Sequence, residues 1–165
     1  MVAVVIMSIL VVAGIPSFAT FIQNRKVRTA ADAIHNGLSL AKAEAVRRNT
    51  VITFNLAAGS SWNVTCGNCN DVNSTTAIQQ MAAAEVSPTV ATSPTTLALN
   101  FNGFGKVTSL ADGTNSTIDI SNTVGTCETA GGSIRCLRIV VTPGGQVRTC
   151  DPRLTVTNPT NPQAC

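Results

Sequence analysis

A chain of 165 residues with only 12% charged residues and a formal charge of +3 is long enough for one domain of ordinary size. Residues 1–50 hold six Lys/Arg against two acids, whereas residues 51–165 hold five against six. The positive excess belongs to the N-terminal part, which argues against a uniformly basic nucleic-acid-binding domain and leaves only a local basic patch open.

The first sixteen residues, MVAVVIMSILVVAGIP, carry no charge, and much of the mean hydropathy of +0.26 resides there. The apolar run Met1–Ile15 is shorter than the roughly 20 residues that span a bilayer, and it lacks the basic start of a secretory signal. Beyond Pro16 and the cluster Arg25, Lys26 and Arg28, apolar positions recur at Val27, Ala31, Ile34, Leu38, Ala41 and Ala45. That spacing predicts an amphipathic helix continuing to about Arg48, with a kink at Pro16 and Asn49 as terminator. We read residues 1–24 as a hydrophobic transmembrane or filament-core helix and residues 25–49 as an amphipathic stem. Residues 50–165 then form a disulfide-containing, β-rich head.

From Thr50 the period changes to that of strands. Val51–Leu56 and Trp62–Thr65, separated by Gly59-Ser60-Ser61, predict a hairpin. Residues 67–95 carry no clear period. Leu97–Phe101, Asn102-Gly103 and Phe104–Val107 predict a tight hairpin, since Asn-Gly readily adopts positive φ. Thr117–Ile120 predicts a further strand, and Cys136–Val141 with Gln146–Thr149 a last hairpin around Pro143-Gly144-Gly145. Asp151–Cys165, with three prolines, is expected to be irregular. The fold class is α+β: one long helix packed on an antiparallel sheet.

All six cysteines, Cys66, Cys69, Cys127, Cys136, Cys150 and Cys165, lie in the head. An even count beyond an apolar segment points to disulfides in an oxidising compartment. Fifteen pairings are formally open. Nearest-neighbour pairing is expected, because each such pair closes a short loop containing Gly, Asn or Pro. Zinc is disfavoured: Cys66-Gly-Asn-Cys69 has ligand spacing, but no second such pair follows and the one histidine, His35, lies on the stem. No βαβ pattern surrounds the pair, which argues against a thioredoxin-like site. The head shows no acid pair at helical spacing, no P-loop and no Gly-x-Ser-x-Gly, so neither catalysis nor a cofactor is expected.

Four strings carry a family resemblance: Val11–Phe18 (VVAGIPSF), Leu38–Asn49 (LSLAKAEAVRRN), Asn100–Val107 (NFNGFGKV) and Pro143–Pro152 (PGGQVRTCDP). With the overall organisation they resemble the type IV pilin superfamily, specifically its FimT/FimU and GspH-type minor pilins and pseudopilins. The resemblance implies a pilin fold and a single-pass protein of the bacterial inner membrane with its head in the periplasm. It also implies non-covalent assembly with other subunits through the N-terminal helix, where Pro16 is a family feature. In this family a short basic leader ending in Gly precedes a mature start reading Phe-Thr-Leu-Ile-Glu-Leu, and the new N-terminus is methylated. Those features are absent from the chain as written, and about seven more apolar residues would bring its first run to spanning length.

The resemblance implies a subunit that initiates or caps a type IV pilus or a type II secretion pseudopilus. One alternative is a DNA receptor for natural transformation, since some FimT-type pilins bind DNA through a C-terminal Gly-Arg-x-Arg. Here the matching positions read Gly145-Gln146-Val147-Arg148, without the first arginine. Arg135, Arg138, Arg148 and Arg153 are the candidate DNA contacts, yet no aromatic residue after Phe104 offers a base a stacking face. Charges on an edge hairpin also serve solubility, the reading we favour. A second alternative is a single-span envelope protein that never polymerises.

Overall fold

The computed structural model describes residues 2–67, 69, 77–82, 85 and 87–165, with side chains from Phe18 onward. Helix α1 runs from Val2 to Arg48. Val27, Ala31, Ile34, Leu38, Ala41 and Ala45 are all fully buried, so the amphipathic stripe is the face that meets the head. The helix stops where Asn49 adopts φ 48°. Thr50 N–H then donates to Ala45 C=O and Asn49 N–H to Val46 C=O, a Schellman closure that satisfies carbonyls the helix leaves open. The kink expected at Pro16 falls outside the residues whose side chains are described.

Among the described residues, the strands of the head form two four-stranded antiparallel sheets. The first has the order β3-β2-β1-β5 and contains β1 (Ile52–Leu56), β2 (Trp62–Cys66), β3 (Gln79–Met81) and β5 (Leu97–Phe101). The second, β4-β6-β7-β8, contains β4 (Val90–Ser93), β6 (Ser116–Asn122), β7 (Leu137–Val141) and β8 (Val147–Cys150). Strands β1 and β2 bury every second residue, as half-buried strands do, and α1 packs against both sheets. Phe54, Phe101, Leu99, Ile118, Ile120 and Ile139 join the helical stripe in one core. Each fully buried Leu, Ile or Phe contributes about 1.5–3 kcal/mol by leaving water.

The hairpins β1–β2 and β7–β8 form as the sequence predicts. Two segments differ from expectation. Phe104–Val107 is not a strand: past a turn whose positive φ sits at Gly105, it makes one bridge, Phe101 with Val107, and β5 pairs with β1 instead. The C-terminal stretch is not wholly irregular. Asp151 caps a short helix, α2 (Pro152–Thr157), by accepting from Arg153 N–H at 2.9 Å, with Pro152 at its first position. Among the described residues no helix is long and apolar enough to cross a membrane. Of the segment expected to do so, residues 1–24, positions 1–17 lie outside the described side chains.

Candidate functional site

The stem emerges from the head with its apolar side uncovered. Phe18 and Phe21 are 65% and 53% exposed and Ile22 is also exposed, whereas from Val27 onward the large apolar side chains on the stripe are buried. The Arg25 guanidinium lies over the Phe21 ring, 5.0 Å from its centroid. Between these two regions the helix is tied to the second sheet by polar contacts. Gln23 Oε1 accepts from Asn122 Nδ2 at 2.9 Å and Thr89 Oγ1 at 3.2 Å, and Asn24 Oδ1 accepts from Arg135 N–H at 2.9 Å. Gln23 and Asn24, assigned from sequence to the filament-core helix, therefore also bond to the head.

Higher on the stem, Lys42 Nζ donates to the carbonyl of Gly145 at 2.9 Å. Gly145 has φ 73°, and a Cβ there would strike the carbonyl oxygen of Gly105, itself at φ 76°. Val107 N–H donates to Pro143 C=O at 2.9 Å. The turn after β5 and the β7–β8 turn thus interlock over Lys42, so three of the family-like strings converge at one point. His35 lines a shallow groove beside Lys42, Gly145 and Val147.

The four candidate DNA-contacting arginines all have acceptors within the chain. Arg138 on β7 faces Asp119 on β6 and grips it with Nε and a terminal amine, at 2.5 and 3.0 Å. That bidentate bond raises the pKa of Arg138 above its ordinary value. Arg135 Nε binds the buried carboxylate of Asp151 at 2.6 Å, Arg153 binds Glu128 at 2.9 Å, and Arg148 donates to Ala164 C=O at 3.2 Å. Arg138 and Arg148 are brought together as diagonal neighbours on β7 and β8, while Arg135 and Arg153 lie to either side of Asp151. The contacts of Arg135, Arg148 and Arg153 secure the C-terminal segment, whose last residue is also joined to β8 by the disulfide Cys150–Cys165. Cys66 pairs with Cys69 and Cys127 with Cys136, leaving no free thiol.

Sequence reasoning did not single out Asp151, Gln23 or the role of Lys42. The Asp151-Pro152 pair is a local capping signature that marks the first. Nothing local marks the other two, whose partners lie 99 and 103 residues away.

A head of two sheets, mounted on a long helix that buries its stripe from Val27 to Ala45 and exposes Phe18, Phe21 and Ile22, is the architecture of a pilin-type subunit. Residues 30–145 match the family described as type II transport protein GspH, and the chain belongs to that family. The fold is similar to crystal structures of the type IV minor pilin FimU of Pseudomonas aeruginosa (strain PAO1) in two space groups. The P21 form shares 17% identity over 78% of this chain and 90% of that one, with a TM-score of 0.57. The P65 form shares 17% over 74% and 90%, with a TM-score of 0.52. No curated protein matches the chain.

Proposed function

We propose that the protein is a non-catalytic minor pilin or pseudopilin, anchored in the inner membrane by residues 1–24 before assembly and helping to initiate or cap a type IV pilus or a type II secretion pseudopilus. The observation that carries this reading is the divided helix α1. Its stripe from Val27 to Ala45 is filled by the head, while Phe18, Phe21 and Ile22 present apolar area that the chain does not cover. Helices of neighbouring subunits, bundled side by side, supply the missing partner. The same contrast supports the division into filament-core helix, stem and head, with Gln23 and Asn24 hydrogen-bonded to the head near the boundary of the first two.

The test is assembly in cells. Phe18→Asp with Phe21→Asp should leave the head folded and the protein expressed, yet abolish its recovery in sheared filaments and its crosslinking to other subunits. Undiminished recovery of that variant would overturn the reading and favour an envelope protein that never polymerises.

A further inference from the structure

Below the Lys42 tie, α1 and β8 are separated by a groove of about 460 Å³ that α1 lines from Phe21 to Asp32. Its lining includes Phe21, Arg25, Arg28 and Arg135 as well as the acids Asp32 and Asp151. The two acids do not cancel the three guanidiniums equally. Asp151 is buried and already holds Arg135 Nε, leaving the terminal amines of that fork unused by it. Asp32 lies 4.0 Å from Arg28 with both side chains largely exposed, a pair too weak to hold Arg28 against a better anion. Arg25 lies over the Phe21 ring, an arrangement that leaves its N–H edge free to donate.

We propose that this groove binds the phosphate of an anionic phospholipid headgroup while the subunit is in the membrane, which rests on the membrane residence proposed above. Guanidinium forks match phosphate geometry with paired N–H donors. The position along the helix fits as well. Ile22, the last exposed apolar residue before the basic cluster, precedes Arg25 and Arg28 by about 4.5 and 9 Å at 1.5 Å per residue. The polar interface on each side of a bilayer's hydrocarbon core is roughly 5–8 Å deep. With Phe18, Phe21 and Ile22 in acyl chains, Arg25 and Arg28 stand at the level of the phosphates. Arginines just beyond an apolar stretch reach that boundary with their charged heads while their aliphatic stems lie along the apolar layer. Bound this way, the head would sit close on the bilayer surface until assembly withdraws the stem.

Native mass spectrometry of the full chain in dodecylmaltoside, with equimolar phosphatidylglycerol and phosphatidylcholine, tests the assignment. The expected result is at least a tenfold preference for phosphatidylglycerol. Arg25→Gln with Arg28→Gln should reduce that preference at least fivefold at an unchanged melting temperature, and Arg47→Gln, a distant arginine on the same helix, should not. Equal occupancy by the two lipids, or a preference surviving the double substitution, overturns the proposal. Displacement of the lipid by millimolar inorganic phosphate would identify a free-phosphate site and also overturn it. Carbonate extraction of cell membranes reads the anchor separately. Release of the wild-type chain by carbonate overturns membrane residence alone, because the lipid competition is measured without a bilayer.

Discussion

At Gly37 the absence of a side chain lets two aromatic rings approach the stem helix. A Cβ there would meet Phe54 Cε2 and Trp62 Cδ2 at 2.9 Å, and those rings pack against each other tilted by 30°, with centroids 5.9 Å apart. Exchanging a mid-helix Gly for Ala ordinarily gains about 0.5–1 kcal/mol. Overpacking a filled core costs typically 1–3 kcal/mol, and rings fixed on adjacent strands cannot both yield. Gly37→Ala should therefore lower the denaturant midpoint, and Gly37→Ser should lower it further. A stabilised Gly37→Ala variant would mean that the aromatic pair repacks freely.

At the scale of elements, α1 is held at its upper end by charge and by the long-range tie from Lys42 to Gly145. Lys42→Met would keep the aliphatic contact with Gly105 but leave the Gly145 carbonyl without its charged donor. The expected loss is about 1.5–3 kcal/mol in chemical denaturation, with faster amide exchange in the two interlocked turns. Glu44 accepts from Arg47 at 2.6 Å and from Arg48 at 2.7 Å. The Arg47 bond first, and then the Arg48 bond, hold the carboxyl pKa below its ordinary value of 4.5. A lowered folded-state pKa means that this stabilisation is complete above the unfolded value and is lost as pH falls through the folded one. Between pH 6 and pH 3 the wild type should therefore lose more stability than Glu44→Gln, measured as the difference in melting temperature. The C-terminal segment is closed by a disulfide spanning 15 residues. Replacing Cys150 and Cys165 with Ser should cost about 3 kcal/mol in the chain-entropy account and expose α2 and the tail to proteases.

For the whole molecule, the question is whether the arginines of the second sheet serve an external polyanion or the fold. Three of the four are paired with carboxylates, so a phosphate must compete with an acid already in place. Duplex DNA should accordingly bind no tighter than roughly 10⁻⁴ M at physiological salt, the weak end of non-specific binding. Gln146→Arg, which restores the family motif in the exposed β7–β8 turn, should strengthen binding and steepen its salt dependence. Fluorescence anisotropy with labelled duplex checks both. Micromolar binding by the wild type would make DNA uptake the primary function.

What local sequence encoded was the part of the fold governed by short-range periodicity. The 3-4 spacing from Val27 to Ala45 named the buried face of α1 because side chains three and four apart share one side of a helix. β-Branched content and the break at Gly59-Ser60-Ser61 named Val51–Leu56 and Trp62–Thr65 as strands, within a residue of β1 and β2, and Asn49 marked the helix end because it tolerates positive φ. Tertiary contact was needed for everything whose partner is distant. Strands β3 and β4 are only three and four residues long, and their edge pairing is not encoded in their own composition. The division into two sheets arises because β5 returns to β1 while β6 pairs with β4 and β7. The arginines looked like free charge in the sequence, yet the fold sets Arg138 opposite Asp119 and Arg135 beside Asp151. Periodicity reports which way a side chain faces along its own element, but an ion pair or a sheet edge depends on which other element arrives there.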